Sequence, residues 1–232
     1  MQVVILCGGK GTRAYPLTAH VPKPMLPIGG VPILVHLMTL FEEQGHTEFV
    51  LAAGHHQGIV REYFRDTAQR WDVQIVDTGN DTDTGDRIRR CRHLLGERFF
   101  VTYGDGLADV SLSAVTAFHE AHSGCATVTC VPLVSQFGLL EIAGSGEVLS
   151  FREKPVLREH WVNAGFMLLS HDVFEHWEGS SLERDVLPRL TKDGRVFAYR
   201  HDGFFKSLDS HKDQQEFEAL VQSGQAPWKR QP

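Results

Sequence analysis

Cysteine is scarce and unpatterned: Cys7, Cys91, Cys125 and Cys130 are the whole complement, with no CxxC spacing. Neither a disulfide framework nor a cysteine-ligated zinc site is expected, and reduced thiols in apolar, strand-like surroundings are. Basic runs and aromatic-basic stripes are also missing. With 23 Lys+Arg against 29 Asp+Glu the formal net charge is −6, which argues against a nucleic-acid-binding surface. No apolar run reaches the length of a membrane span or a signal h-region, and no basic segment precedes the opening strand pattern, so a cytoplasmic protein without membrane contact is the expectation. Internal repeats, low-complexity tracts and long linkers are absent too. Of the 13 histidines, His119 and His122 lie in HEAH, which does not have the HExxH zinc spacing, and His55-His56 reads as a loop pair at the surface or its boundary.

The 232 residues, 42% of them hydrophobic, suffice for one substantial core. Apolar, β-branched runs predict strands near Val3 to Cys7, Glu48 to Ala53, Val73 to Val76 and Phe99 to Tyr103. Helical periodicity falls between them, near Pro32 to Gln44, Gly58 to Asp66 and Arg87 to Leu95. This βαβ rhythm predicts an α/β fold, a Rossmann-like αβα sandwich around a mostly parallel sheet. A helix carrying Leu112, Val115 and Phe118 and a buried strand at Ala126 to Val131 follow. Short strand patterns at Leu139 to Ile142, Val148 to Phe151, Gly165 to Leu169 and Val196 to Tyr199 suggest antiparallel additions forming a small lobe. The last helix, after Asp209, turns Phe217, Leu220 and Val221 to one side. The economical organisation is a single domain over 1–232, with functional halves at about 1–131 and 132–232.

The densest chemistry lies in Leu6 to Pro27, LCGGKGTRAYPLTAHVPKPMLP. A glycine-rich turn directly follows a strand, and Thr12, Arg13 and Lys23 bring a hydroxyl and two cations to it. Glycines let backbone N–H groups approach phosphate oxygens while Arg and Lys neutralise charge, so the segment suits a polyphosphate. It is not a Walker loop, because Gly11 is followed by Thr12 and Arg13 rather than Lys-Ser/Thr. Gly9 to Ala14 satisfies GxGxxA, yet no acidic residue stands about twenty positions on, where a dinucleotide fold places one.

Four later segments add polar groups. Tyr103-Gly104-Asp105-Gly106 sets Asp105 at the C-terminal end of a strand, where a carboxylate suits Mg2+; an ordinary Asp-Gly turn is the plainer alternative. Asp209 offers a second carboxylate if it faces Asp105, and otherwise Asp209 or Ser210 serves as a helix N-cap. Glu153-Lys154-Pro155 repeats the Lys-Pro pair of Lys23-Pro24, and Asn163-Ala164-Gly165 supplies an amide beside small residues, as a hydroxyl-rich substrate requires. Val76 to Gly79 and Thr82 to Arg87 form a Gly/Thr-rich loop before a helix, able to touch a base.

These segments together resemble the sugar-1-phosphate nucleotidyltransferase family, and within it the glucose-1-phosphate cytidylyltransferases. The resemblance runs through LCGGKGTR, VPKPM, GGVPIL, VDTG with TGDRIRR, TYGDGLAD, FHEAH, FREKP, NAGF, HDGFFKSLDSHKD and APW. It implies transfer of a nucleotidyl group, CMP from CTP, to glucose 1-phosphate with release of pyrophosphate. Leu6, Gly8, Gly9, Gly11, Thr12, Arg13, Lys23, Thr82, Arg87 and Gly104 would then hold the nucleotide. Glu153, Lys154, Asn163 and Gly165 would hold the sugar phosphate, Asp105 and Asp209 would hold Mg2+, and Arg13, Lys23 and Lys154 would be the charge-neutralising catalytic residues. The same reaction with GTP, dTTP or UTP and another sugar, or a non-catalytic nucleotide-sugar-binding module, are the alternatives. An assembly of like subunits is compatible with the sequence. Two departures stand out: the stretch between Tyr63 and Val73 is shorter than in the relatives, and Ala14 replaces the usual leucine after the arginine.

Overall fold

A computed structural model of the chain describes residues 1–66 and 70–229. Its strands are β1 (Val3–Cys7), β2 (Pro27–Ile28), β3 (Val31–Pro32), β4 (Glu48–Ala53), β5 (Asp72–Asp77), β6 (Arg98–Tyr103), β7 (Gly106–Ala108), β8 (Ala126–Val134), β9 (Leu139–Ile142), β10 (Val148–Arg152), β11 (Val156–Ser170), β12 (Val196–Arg200) and β13 (Phe205–Ser207). The helices are α1 (Ile33–Glu42), α2 (Gln57–Asp66), α3 (Thr84–Cys91), α4 (Leu112–Glu120), α5 (Leu187–Lys192) and α6 (His211–Gln222).

Seven strands form the main sheet in the order β12-β8-β11-β6-β1-β4-β5. β1 pairs in parallel with β4 and β6, β4 with β5, and β12 with β8, while β11 runs antiparallel to β6 and β8. All five residues of β1 are buried because the sheet is covered on both faces. Alternation assigns them to two cores: Val3, Ile5 and Cys7 pack with α1, and Val4 and Leu6 with Ile88 and Cys91 of α3 and with Leu182, Val186 and Leu190. Phe41 of α1 anchors the first core through ring contacts with Phe49, Phe100 and Phe166 at centroid distances of 6.5, 5.6 and 6.0 Å; truncating such a residue typically costs about 3–5 kcal/mol.

The chain runs from β1 outward to β4 and β5 and then returns to place β6 on the other side of β1. That reversal opens a crevice at the C-terminal ends of β1 and β6, where open α/β sheets bind ligands. Leu6, Tyr103 and the turns after them are therefore directed into one place by topology.

The later strands depart from the sequence reading in placement. Gly165 to Leu169 and Val196 to Tyr199 belong to the main sheet, and β12 pairs in parallel rather than antiparallel fashion. Residues 164–169 of β11 are buried against β6 and β8, so apolar burial draws them into the central layer. β9 and β10 form a separate antiparallel pair. α3 begins at Thr84 rather than near Arg87, because the Asp83 side chain accepts from the Thr84 N–H and caps it there. Thr84 to Arg87 is thus a helical turn and only Thr82 and Asp83 remain loop. Part of the stretch expected to be shortened, 67–69, lies outside the described residues. All four cysteines are buried and free.

Beneath the sheet, two histidines form a hydrogen-bonded chain whose proton positions follow from its ends. The Gly124 N–H donates to His122 Nδ1 (3.1 Å), so His122 Nε2 donates to Thr127 Oγ1 (2.7 Å). Thr127 in turn donates to His119 Nδ1 (2.8 Å), leaving His119 Nε2–H for Ser170 Oγ (2.8 Å). Burial, with the His122 charge second, lowers the His119 pKa to about 4. The unfolded chain takes up this proton near pH 6.5 while the native protein does not, so stability falls as pH drops from about 6.5 to about 4, by at most about 1.4 kcal/mol per pH unit from this residue. We expect His119→Gln to flatten part of that slope in urea unfolding curves recorded across this range; an unchanged slope contradicts the assignment.

Candidate active site

The crevice is a cleft of about 630 Å³. One wall is the loop after β1, including Gly8, Gly9, Gly11, Thr12 and Arg13. Thr82, Asp83, Thr84 and Arg87 form a second wall, and Tyr103 to Gly106, Asn163, Ser207 and Asp209 lie across from them. Leu6, Lys23 and Gly104 also line it, so every residue expected at the nucleotide is present. On the sugar side only Asn163 lines the cleft. Glu153 and Lys154 are exposed at the end of β10 and its following turn, away from the lining, with Lys154 in a left-handed conformation (φ 42°). Gly165 lies behind Tyr103: a Cβ there would stand 2.4 Å from the ring, and its φ of 79° favours glycine independently.

Asp105 and Asp209 meet because β7 pairs with β13. The register Gly106↔Ser207 and the Leu208 N–H bond to the Asp105 carbonyl (2.8 Å) put one carboxylate at each adjoining end. Between them sits the Lys23 ammonium, 2.7 Å from Asp105 Oδ2 and 2.8 Å from Asp209 Oδ1, with only 8% of its side chain exposed. Arg13 Nη2 lies 3.2 Å from the same Asp209 oxygen. Burial alone would raise the Asp209 pKa; hydrogen bonds from Lys23 and Ser207, with the Lys23 and Arg13 charges, outweigh it and hold the carboxyl below its usual range. Asp209 is not the helix cap. Ser210 accepts from the Asp213 N–H, and Asp213 accepts from Asp209 N–H and from Lys206, so the carboxylate of Asp209 is left for the cleft.

Arg87 lines the cleft and also holds two of its loops together. It is 3% exposed. Its Nη1 donates to Thr78 Oγ1 (2.6 Å) and the Gly79 carbonyl (2.8 Å), and its Nη2 to the Gly8 carbonyl (3.0 Å). The guanidinium therefore ties the loop after β1 to the loop after β5. Burial, then repulsion from Arg90, lowers its pKa from the ordinary value. Gly8 is required by this contact, since a Cβ there would fall 2.0 Å from Arg87 Nη1.

Glu183 escaped sequence reading. It sits in a π-helical turn, Leu182–Val186, and lines the cleft. Tyr103 donates to its Oε1, and Thr84 to its Oε2 at 2.6 Å. Burial, and the Glu183 charge second, pushes the Tyr103 phenol up, so it remains a donor. The only local signal was a glutamate in a segment with neither clear helical nor strand periodicity.

Residues 2–209 match the sequence profile of the family described as Nucleotidyl transferase. The chain belongs to the nucleotidyl transferase family. It is 36% identical over 254 residues to a probable glucose-1-phosphate cytidylyltransferase of Bacillus subtilis and 34% identical over 255 residues to the glucose-1-phosphate cytidylyltransferase of Salmonella typhimurium, in each case over 99% of both chains. These alignments are longer than the 232-residue chain, in keeping with a segment that the relatives carry and this member lacks. Among solved structures, a putative glucose-1-phosphate thymidylyltransferase of Bacillus anthracis superposes with a TM-score of 0.74 at 21% identity, covering 100% of this chain and 97% of that one. HddC of Yersinia pseudotuberculosis gives 0.74 at 25% identity, covering 95% and 99%. The resemblance to sugar-1-phosphate nucleotidyltransferases and the α/β fold class are both borne out.

Because Arg87 acts as a planar fork on several carbonyls, Arg87→Lys should not replace it. Each acceptor left unpaired costs about 1–3 kcal/mol, so we expect lower stability in urea and weaker nucleotide binding by calorimetry. Wild-type stability in Arg87→Lys would contradict the tie.

Proposed function

We propose that this family member transfers CMP from CTP to glucose 1-phosphate, forming CDP-glucose and pyrophosphate. The carrying observation is convergence: a glycine-rich loop with Arg13, a cation flanked by two carboxylates, and the Asn163 amide face one cleft, in a chain alignable almost end to end with cytidylyltransferases. In the reaction an oxygen of the sugar phosphate forms a bond to the α-phosphorus of CTP as the bond to the pyrophosphate oxygen breaks. The attacking phosphate is already ionised near neutral pH, so no general base is needed. Alignment and charge neutralisation must supply the acceleration.

Backbone N–H groups of the loop after β1 and the Arg13 guanidinium are suited to the triphosphate. Lys23 can donate to the same phosphates. Asn163, whose Oδ1 accepts from the Gly165 N–H (2.7 Å), directs its amide nitrogen to the Tyr103 hydroxyl (3.4 Å) and would meet the sugar phosphate from that wall of the cleft. Lys154 and Glu153, carried on the exposed turn after β10, would serve the sugar phosphate by approaching the cleft when it binds.

Asp105 and Asp209 fit Mg2+. Both offer hard oxygen donors around one cation position, and with no group of three or more His, Cys, Asp or Glu side chains among the described residues, the other ligands would have to come from substrate phosphates and water. Two carboxylates plus substrate phosphates are what Mg2+ ordinarily takes. When bound, it would neutralise triphosphate charge and orient the α-phosphate.

Incubating the protein with each NTP and several sugar 1-phosphates, and identifying products by mass, should give CDP-glucose as the fastest-formed product. Preference for another base would overturn the cytidylyl assignment, and no NDP-sugar from any pair would overturn the reaction. Asp105→Asn should lower turnover by about 10²-fold or more, by analogy with loss of one preorganised charge-stabilising group, with the far-UV circular dichroism retained. Undiminished activity in that variant would remove Asp105 from the metal site.

A further inference from the structure

The lysine expected to bind phosphate occupies the position expected for the metal. Lys23 Nζ hydrogen-bonds both Asp105 Oδ2 and Asp209 Oδ1 at 2.7 and 2.8 Å, so the two carboxylates that would hold Mg2+ are already bridged by a cation. The ammonium is also the more buried partner, at 8% side-chain exposure against 24% and 31%. A divalent ion arriving alone would have to displace it and leave a buried charge without its acceptors, which is strongly unfavourable. Arg13, on Asp209 Oδ1 at 3.2 Å, adds a second positive charge that an incoming metal must oppose.

A nucleoside triphosphate changes this balance. It brings several anionic oxygens into the cleft lined by Gly9, Gly11 and Thr12, and the Lys23 stem lies against that loop: a Cβ on Gly11 would stand 3.2 Å from Lys23 Cβ. A lysine ammonium on a flexible four-carbon stem can turn from the carboxylates to these phosphates. The carboxylates are then free for the metal that accompanies the triphosphate.

We infer that Lys23 is an internal stand-in for the metal, closing the Asp105–Asp209 seat to free divalent cations until a triphosphate draws the ammonium away. This rests on the metal assignment proposed above and extends it to the order of events. Metal and triphosphate must bind as a pair, each strengthening the other by the same factor.

The test needs no turnover, so its failure is distinguishable from failure of the proposed reaction. Free Mn2+ is measured by electron paramagnetic resonance while the full chain is titrated without nucleotide, for wild type, Lys23→Met and Lys23→Gln. Wild type should bind Mn2+ weakly, and both variants at least tenfold more tightly, with the gain abolished by adding Asp105→Asn. Adding α,β-methylene CTP should raise wild-type Mn2+ affinity by a similar factor. In parallel, Mg2+ alone should raise the melting temperature of Lys23→Met and not that of wild type, which keeps the inference testable if the variant is less stable. Equal Mn2+ affinity in wild type and variants, or a gain that survives Asp105→Asn, would overturn it.

Discussion

The interaction on which the cleft depends is the Lys23 ammonium held between the Asp105 and Asp209 carboxylates. Two carboxylates converging in a partly buried place would repel one another and suffer desolvation, and a single buried ammonium answers both problems. The contact joins three distant parts of the chain: the turn Lys23–Met25 beside the loop after β1, the end of β6, and the approach to α6. These are the parts that must be aligned for phosphate chemistry.

The same contact explains why neighbouring elements have the construction they do. β7 and β13 are only three residues long, yet their pairing sets the spacing of the two carboxylates. Ser210 and Asp213 cap the start of α6 and so spare Asp209 from capping it. Arg87 performs an analogous service on the opposite wall, fixing the loop after β1 against the loop after β5 through their carbonyls. One cation orders the carboxylate side and another the backbone side, and the cleft lies between.

Much of this was legible in the sequence because the relevant signals are local. β1, β4 and β6 each carry a buried run, Val3 to Cys7, Phe49 to Ala53 and Phe99 to Thr102, that is apolar except for Thr102, since a doubly covered sheet demands burial on both faces, and glycine clustering after β1 is the local pattern expected of a phosphate loop. The convergence of Asp105 and Asp209 was only a conditional expectation, for it depends on a pairing between residues about a hundred positions apart. Arg87 was expected at the nucleotide because the family resemblance places the TGDRIRR segment there. Sequence could not reveal that its donors are spent on Gly8, Thr78 and Gly79. Glu183 was missed because a π-helical turn has no clean periodicity. Gly165 shows the reverse limit: a residue within a motif can serve as packing space for a ring, here that of Tyr103.

The central claim is that Lys23 and the carboxylates form one energetic unit, and a double-mutant cycle for unfolding measures this directly. Urea unfolding of Lys23→Met, Asp209→Asn and the double variant, all without metal or nucleotide, should show each single substitution destabilising and the pair costing less than their sum, with a coupling of about 0.5–3 kcal/mol. Additive effects with no coupling would contradict the account.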